Sequence, residues 1–221
     1  MRTSQHPEAA FLAAMTASAT HEVRNVLAII KESAGLIGDL AHASGERGAL
    51  DREKLFRAVD RIEAQVRRGA DLLTNLNRLS HTLDHGLATL DLGEEVEQMI
   101  FRGQRFARKK GQQAAVGEMA EDCTVRVDPL RLHMVLFAGM ECILDLLPEG
   151  SAVTVGVRNE AGARVVEYSG ATEHGWDEAG PPSVSEGWTD LEKLATPLGA
   201  VVERHETGFG IRILFPQGTE G

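Results

Sequence analysis

Apolar residues recur at alternating spacings of three and four along two long stretches at the start of this 221-residue chain. This spacing places them along one side of an α-helix and gives a heptad-type seam. The pattern predicts one helix over about residues 7–43 and a second over about residues 51–84. The break between them, residues 44–48, is a Gly-containing loop of the kind that joins antiparallel helices. The seam positions are Val23, Leu27, Ile30, Ala34, Ile37 and Ala41 in the first helix, and Leu55, Val59, Ile62, Val66, Gly69, Leu73, Leu76, Ser80 and Leu83 in the second.

The apolar stripe on these two helices is too wide for a single hairpin to cover. Pairing of two hairpins into a four-helix bundle buries such a stripe. The pattern therefore predicts a homodimer with a twofold axis. The alternative is that the C-terminal region of the same chain covers the stripe.

The chain after residue 86 changes character, because short alternating strands and helices of ordinary length follow one another. Strands are predicted over residues 124–127, 152–157, 163–168, 200–205 and 209–215, and helices from Leu92, from Pro129 and over 191–198. Residues 169–187 are predicted to be a loop. We therefore predict an α+β protein with a helical-hairpin domain over residues 1–86. An α/β sandwich over residues 87–221 follows, with one mixed sheet and helices on one face.

Charge and composition argue against several classes of function. The chain has 33 acidic and 23 basic residues and a formal net charge of −10. We expect no nucleic-acid partner, because phosphate binding needs clustered lysine and arginine. The apolar run at residues 9–14 is far shorter than the ~20 residues of a membrane helix, and no signal peptide is recognisable. Cys123 and Cys142 lack metal-type spacing and suit a reduced compartment. We expect a cytoplasmic protein without a membrane partner, in which both cysteines are packing residues.

His21 lies within one turn of a carboxylate and an amide in the first predicted helix. At about 100° per residue, Asn25 lies about 40° from His21, and the seam residue Ile30 lies about 180° from it. The imidazole is therefore expected to point away from the buried side, with Glu22 beside it. An exposed imidazole next to a carboxylate is a candidate nucleophile or proton shuttle. The alternative is a solvated surface histidine.

The run His-Glu-x-x-Asn at residues 21–25, with apolar residues after it, resembles the phosphoacceptor box of sensor histidine kinases. The resemblance implies that His21 carries a phosphoryl group. It also implies that Glu22 holds and activates the imidazole and that Asn25 orients a water for dephosphorylation. The proline that usually follows is Val26 here. Because only about twenty residues precede His21, we expect no sensor segment in this chain.

The second region resembles the ATP-binding domain of the same kinases, the GHKL-type fold, in the order of its elements and most closely over residues 128–136. The nucleotide-binding residues of that family are missing. The two asparagine positions of its N-box helix, one of which binds Mg²⁺, are Ala138 and Cys142, and neither is a hard oxygen ligand. The adenine-reading aspartate is Tyr168, and Trp188 stands in place of the Gly-rich lid. The resemblance therefore implies a degenerate domain that binds no ATP.

A phosphoacceptor hairpin followed by a degenerate ATP-binding domain resembles the bundle-type (ChpT-like) histidine phosphotransferases of bacterial two-component phosphorelays. The resemblance implies that His21 takes a phosphoryl group from one receiver-domain aspartate and passes it reversibly to another. Glu22 would accept the proton of the second ring nitrogen and fix the tautomer. The implied partners are response-regulator receiver domains and a hybrid histidine kinase. The implied cofactor set of this chain is empty, with Mg²⁺ on the receiver, and the degenerate domain would be a docking surface and a brace.

Residues around His21 are candidates for the surface that binds a receiver. They are Arg24, Ala28, Glu32, Arg67 and Arg68. Basic side chains there could attract the acidic pocket of a receiver domain, and the alternative is a solvated charged face. Three other functions stay open. They are a receiver phosphatase in which Asn25 orients a water, a receiver-binding module with an idle His21, and a kinase with altered nucleotide contacts.

Overall fold

The structure is a computed structural model that describes residues 6–47, 51–81, 86–160, 162–171, 186–204 and 210–216, without the side chains of residues 44–47 and 186. The chain forms two compact units. One is Leu12–Ser80, and the other combines Met1–Phe11 with His81–Gly221. The predicted α+β class, with long helices first and a mixed sheet after them, is confirmed. The predicted domain boundary between residues 86 and 87 stays a prediction.

Five α-helices and seven strands make up the described chain. The helices are α1 (Pro7–Arg47), α2 (Arg52–His81), α3 (Leu92–Lys109), α4 (Pro129–Leu146) and α5 (Glu186–Ala195), with a short 3-10 helix over Thr196–Leu198. The strands are β1 (Ala88–Asp91), β2 (Gln113–Met119), β3 (Thr124–Val127), β4 (Ala152–Glu160), β5 (Ala163–Ala171), β6 (Val201–Arg204) and β7 (Gly210–Pro216). The predicted end of the second helix, at residue 84, lies outside the described residues.

In the helical unit, α1 and α2 run antiparallel. Two ion pairs join them, Glu22 with Arg68 at 2.6 Å and Glu32 with Arg61 at 3.2 Å. A Cβ on Gly69 would lie 3.3 Å from Cγ1 of Val26. The missing side chain at Gly69 therefore lets α2 approach α1 closely at this level.

The buried side of α1 is rotated from the predicted seam. Val26 and Ser33 are buried, whereas Leu27, Ala34 and Ala41 of the predicted seam are exposed. Val26 packs toward α2, and Leu27 points about 100° away from it because it is the next residue on the helix. The apolar stripe of α1 is thus only partly covered by α2. Val26 lies inside the hairpin, and Leu27 lies outside it.

The second unit is built on a five-stranded mixed sheet with the strand order β2-β4-β5-β7-β6. Strand β2 runs parallel to β4, and the other neighbours are antiparallel. The predicted antiparallel pair of β4 and β5 is confirmed, with Asn159 opposite Arg164. The prediction of one sheet is wrong, because β1 and β3 form a separate two-stranded sheet. Strand β1 ends at Asp91, the N-cap of α3, and strand β3 is followed directly by Asp128, the N-cap of α4.

Within the described ranges, one face of the five-stranded sheet is covered and the other is open. On β4, Val153, Val155 and Val157 are fully buried, whereas Thr154 between the first two and Arg158 after the last are exposed. This alternation follows from the two-residue repeat of a strand. Helices α3 and α4 contact the sheet strands β4 and β5, so the core lies between these helices and the covered face.

The first residues of α1 pack within the second unit. The buried ring of Phe11 meets that of Phe137 on α4 edge to face, with centroids 5.9 Å apart. Phe137 also meets Phe106 of α3 at 5.0 Å, and Glu8 lies 3.8 Å from Arg131. Helix α1 therefore begins in one unit and continues in the other.

Both cysteines are buried and neither is in a disulfide, as expected for packing residues. Burial raises the pKa of the Cys123 thiol, which keeps it in the unreactive protonated form. Among the described helices, none combines the length and the apolar content that a membrane crossing requires.

Candidate functional site

His21 is exposed on α1, within the unit Leu12–Ser80. The side-chain amide of Asn25, one turn later, lies 3.3 Å from Nδ1 of the ring. Within the described residues Nε2 has no hydrogen-bond partner. The helical spacing predicts this placement of the two side chains, and the structure adds that the amide is close enough to hold the ring.

The Asn25 amide determines which ring nitrogen is left for chemistry. With its NH₂ group toward His21, the amide donates to the Nδ1 lone pair, and the ring proton lies on Nε2. With the amide turned by 180°, Oδ1 accepts the Nδ1–H and leaves the Nε2 lone pair free. Both orientations use the same heavy-atom positions, and only the second makes Nε2 a nucleophile. Asn25 can therefore orient the ring and select its reactive tautomer.

Glu22 follows His21 in the sequence, but its carboxylate forms an ion pair with Arg68 of α2 at 2.6 Å. Positions i and i+1 of a helix do not face each other, so the carboxylate and the imidazole point in different directions. The Glu22 side chain is 13% exposed and that of Arg68 is 42% exposed. The hydrogen bond to the ring thus comes from Asn25 and not from Glu22, and the role expected of Glu22 as acceptor of the ring proton stays a prediction.

The five residues predicted to bind a receiver all lie on the helical unit. Ala28 and Glu32 lie about 20° from His21 around α1, and Arg24 lies about 60° from it. Arg24 and Ala28 are exposed. The others hold ion pairs, Glu32 with Arg61 at 3.2 Å, Arg67 with Glu63 at 3.9 Å and Arg68 with Glu22. Arg24, Ala28 and Glu32 therefore lie on the same face of α1 as His21. The binding of a receiver by the five residues stays a prediction.

Large apolar side chains are exposed on the same unit. On α2, Val59, Val66 and Leu73 follow at intervals of seven, and they are 37%, 55% and 58% exposed. Phe56 of α2 and Leu27 and Leu36 of α1 are exposed as well. Residues seven apart lie nearly on one line of a helix, so α2 presents an exposed heptad seam. Clustered apolar surface of this kind marks an interaction site.

Tyr168 of β5 occupies the position of the adenine-reading aspartate in the kinase resemblance. Its ring is fully buried, and its hydroxyl donates a 2.7 Å hydrogen bond to the carbonyl oxygen of Leu136 on α4. A Cβ on Gly139 would lie 2.8 Å from Cζ of the ring, so the ring fits because this helix position has no side chain. Burial raises the pKa of the phenol. Tyr168 is therefore a core residue between α4 and the sheet.

The remaining residues at the predicted nucleotide site do not fit a Mg²⁺-bound nucleotide. Ala138 and Cys142 of α4 carry no oxygen in their side chains, and Cys142 is buried, whereas Mg²⁺ requires oxygen ligands. Trp188 of α5 donates a 2.8 Å hydrogen bond to Glu192. The guanidinium of Arg204 lies 5.3 Å from the indole centroid, in a cation–π contact. Trp188 thus contacts two charged side chains of the second unit, Glu192 and Arg204.

Two contacts at these sites have almost no signal in the sequence. The pairing of Glu22 with Arg68 depends on the register of the hairpin. The contact of Gly139 with Tyr168 depends on the packing of α4 against the sheet. The hint available is that glycine in a helix interior costs about 1 kcal/mol relative to alanine, so its presence there favours close packing.

Solved structures similar to this chain include histidine kinases. The nucleotide-free catalytic domain of the histidine kinase ThkA matches 60% of this chain and 97% of its own, with a TM-score of 0.47 and 16% identity. The histidine kinase AdeS of Acinetobacter baumannii matches 90% of this chain and 98% of its own, with a TM-score of 0.46 and 13% identity. ThkA in complex with the response regulator TrrA matches 94% of this chain and 62% of its own, with a TM-score of 0.46 and 17% identity. No protein-family model and no curated protein sequence matches the chain.

Proposed function

We propose that this chain is a histidine phosphotransferase of a two-component phosphorelay. It moves a phosphoryl group between receiver-domain aspartates through His21 and binds no ATP. The observation that carries the proposal is the geometry of His21, an exposed ring whose Nδ1 is held by Asn25 and whose Nε2 has no partner among the described residues. A ring fixed at one nitrogen and open at the other is suited to nucleophilic catalysis.

The transfer forms one bond and breaks one. The Nε2 lone pair attacks the phosphorus of the aspartyl phosphate. The N–P bond forms, the O–P bond breaks, and its electron pair leaves on the receiver carboxylate. The proton stays on Nδ1, where Oδ1 of Asn25 accepts its hydrogen bond, and the positive charge is shared by the phosphorylated ring. The same steps in reverse load the second aspartate, with Mg²⁺ belonging to the receiver as part of the substrate. The contribution of this chain is position, because His21 must lie in line with the O–P bond.

The second unit supports a role without ATP. Tyr168 fills the space between α4 and β5 and bonds to the carbonyl of Leu136, so the position of the adenine-reading residue belongs to the core. Ala138 and Cys142 supply no oxygen for Mg²⁺. We infer that this unit is a brace and a docking surface for receivers.

The exposed seam of α2 supports a homodimer. Val59, Val66 and Leu73 repeat every seven residues, and a second helix with the same repeat can pack its side chains between them. The same seam on another copy is self-complementary about a twofold axis. Burial of a side chain of this size contributes about 1.5–3 kcal/mol. Covering the seam with a second hairpin would therefore stabilise the dimer.

A receiver phosphatase is the second candidate, and Asn25 is the residue that favours it. An amide one turn from the histidine can orient a water toward an aspartyl phosphate. In the structure the amide lies against Nδ1 of His21 at 3.3 Å, which favours orientation of the ring. The two functions differ in their intermediate, since the relay phosphorylates His21 and the phosphatase releases phosphate directly.

Incubation with a receiver carrying ³²P on its aspartate tests the proposal. We expect label on the wild-type protein and none on His21→Ala. His42→Ala, which removes another exposed histidine of α1, is the matched control and should be labelled. Release of free phosphate without a labelled intermediate supports the phosphatase. Absence of both label on the wild-type protein and release of phosphate would contradict both functions and leave a receiver-binding module.

Asn25→Ala separates orientation of the ring from orientation of a water. Loss of one hydrogen bond of about 1.4 kcal/mol should slow acceptance of the phosphoryl group roughly tenfold. We expect this slowing with an unchanged lifetime of the phosphorylated protein, measured by the decay of label after the receiver is removed. Unchanged acceptance with a longer lifetime would instead assign Asn25 to the water.

A further inference from the structure

We propose that the open face of the five-stranded sheet binds a small amino acid. The site is an open pocket of about 80 Å³ in the second unit, lined by residues of β2, β4 and β5. It uses none of the residues of the phosphotransfer proposed above, so the inference does not depend on that function.

A β-bulge shapes the floor of the pocket. The register of β2 against β4 shifts between Val116 and Met119, so that Gly117 and Glu118 of β2 lie opposite the single residue Gly156 of β4. A Cβ on Gly156 would lie 2.9 Å from the carbonyl oxygen of Glu118. Glycine inside a strand is typical of such close backbone approach, and a bulge redirects the side chains beside it. The floor is therefore bare backbone, with the Glu118 side chain in the lining.

Side chains of β4 and β5 form the walls. Thr154 of β4 lies directly opposite Ser169 of β5, and Gly156 lies directly opposite Glu167. Residues opposite each other on neighbouring strands share one face of the sheet, and Thr154 is exposed on the open face. Arg158, two residues after Gly156, completes the lining on the same face. Polar side chains thus surround a floor that has no side chain of its own.

One ion pair crosses the lining, and the other polar groups are available to a ligand. Nε of Arg158 lies 2.8 Å from Oε2 of Glu167, whose side chain is 9% exposed. The remaining polar groups of the lining have no partner within the described residues. They are the Nη groups of Arg158, the Glu118 carboxylate and the hydroxyls of Thr154 and Ser169. The pocket therefore offers cationic donors, an anionic acceptor and two hydroxyl groups.

These groups match the two charges of an α-amino acid. A guanidinium binds a carboxylate through its N–H groups, and an ammonium donates to a carboxylate such as that of Glu118. The hydroxyls can donate or accept. A volume of about 80 Å³ admits a ligand of a few non-hydrogen atoms, whereas drug-sized ligands fill roughly 300–1,000 Å³. We therefore expect glycine, alanine or serine to fit.

A simple ion fits this lining less well. Among the described residues there is no group of three His, Cys, Asp or Glu side chains that could hold a metal ion. An anion would meet the carboxylates of Glu118 and Glu167, and a cation would meet the guanidinium of Arg158. A ligand that carries both charges satisfies both sides of the pocket.

NMR titration of the full-length ¹⁵N-labelled protein with L-alanine tests the site. We expect saturable shifts of the backbone amide signals of Gly117, Gly156 and Ser169, with the signal of Gly35 on α1 unchanged. Ethylamine and propionate each carry one of the two charges and lack one charge-assisted hydrogen bond, so each should bind roughly tenfold more weakly. Glycine betaine keeps both charges but has no N–H donor, and it should also bind more weakly.

Glu118→Gln removes the charge that receives the ammonium while the size of the side chain is kept. We expect its dissociation constant for L-alanine to rise roughly tenfold. Thr154→Val removes one hydroxyl and should raise the constant roughly threefold. Glu121→Gln makes the same charge change at an exposed position outside the lining, so it is the matched control and should bind L-alanine as the wild type does.

Equal affinities of the wild type for L-alanine and ethylamine would make the pocket a cation site and overturn the proposal. Equal affinities for L-alanine and glycine betaine would overturn the assignment to an amino acid. Absence of saturable shifts, or equal affinities of Glu118→Gln and the wild type, would contradict the site itself. None of these results bears on the label of His21, so the proposed function can stand or fall separately.

Discussion

At the scale of single residues, Tyr168 is part of the core at the position that the kinase resemblance assigns to the adenine-reading aspartate. Its phenol is buried, its hydroxyl bonds to Leu136, and the glycine at position 139 makes room for the ring. A carboxylate at this position would be buried next to a carbonyl oxygen without a donor, which is costly. The packing that accommodates tyrosine therefore excludes the aspartate that it replaces in the kinase resemblance.

Tyr168 should make the protein unfold at alkaline pH. Burial raises the pKa of its phenol, so the folded state keeps it neutral while the unfolded chain ionises at about pH 10. The stability from this group is present below that pH and is lost as the pH rises. Tyr168 is the only tyrosine of the sequence. We expect tyrosinate absorbance at 295 nm to appear together with the loss of circular dichroism. Ionisation before unfolding would contradict the buried environment.

Gly139→Ala tests the fit of the same ring. The new Cβ would lie 2.8 Å from Cζ of Tyr168, and overpacking of this kind costs about 1–3 kcal/mol. We expect a lower midpoint of urea unfolding. Gly35→Ala on α1 is the control, since no atom lies within 4 Å of its added Cβ, and it should not lower the midpoint. Equal stability of the wild type and Gly139→Ala would show that the ring is not held against α4.

Sequence reasoning at this scale placed His21 and Asn25 one turn apart because helical spacing is fixed. The sequence does not predict the ion-pair partner of Glu22. The partner of Glu22 is 46 residues away, and which arginine it meets depends on the register between two helices. The contact of Gly139 with Tyr168 cannot be predicted from the sequence for the same reason, because it depends on which strand packs against α4.

At the scale of elements, two helices begin at aspartate caps that follow short strands. The Asp128 carboxylate accepts from the Arg131 amide at 3.0 Å, and Pro129 occupies the first helical turn. Asp91 accepts from the Glu94 amide at 3.0 Å before α3. These caps satisfy amides that have no carbonyl partner within the helix.

Asp128→Ala should destabilise the protein by about 1 kcal/mol through loss of this cap. Urea unfolding followed by circular dichroism measures the change. Glu97→Ala removes an exposed carboxylate of α3 that has no cap role and should leave the midpoint within error. Asp128→Asn, which keeps an accepting oxygen, should recover most of the loss. Equal stability of Asp128→Ala and the wild type would show that the cap contributes nothing.

The long helices were predictable because their apolar spacing persists over many turns. Strand β2 was not, because Gln113–Met119 contains a single β-branched residue, Val116, and no clear alternation. It is a strand because its backbone pairs with β4 at the edge of the sheet. Strand β1 is four residues long and pairs with β3. Both segments are strands because of the strands with which they pair, β3 for β1 and β4 for β2.

At the scale of the whole molecule, a hairpin with an exposed seam on α2 precedes a sandwich in which Tyr168 fills the space between α4 and the sheet. The hairpin pattern and the missing nucleotide ligands could both be predicted from the sequence. Which apolar residues of α1 are buried could not be predicted, since this depends on how α2 packs against α1. Leu27 lies outside the hairpin for that reason, and the seam residues of α2 are exposed in the part of the chain that the structure describes.

Val66→Asp should convert a dimer into a monomer. Val66 is exposed in the single chain and lies at the centre of the α2 seam, so a charge there is tolerated by the hairpin and opposed at a dry interface. Light scattering coupled to size-exclusion chromatography measures the mass, and circular dichroism should show the helix content retained. Ala64→Asp, at an exposed position outside the seam, should remain a dimer. Equal masses for the wild type and Val66→Asp would contradict the dimer interface.

The central claim is that His21 receives phosphate from a receiver and not from ATP. The most direct measurement incubates the wild-type protein in parallel with [γ-³²P]ATP and Mg²⁺ and with a receiver labelled on its aspartate. We expect label from the receiver alone, and that label should be absent from His21→Ala. Label that enters His21 from ATP would contradict the account, because the chain would then hold a nucleotide despite Tyr168, Ala138 and Cys142.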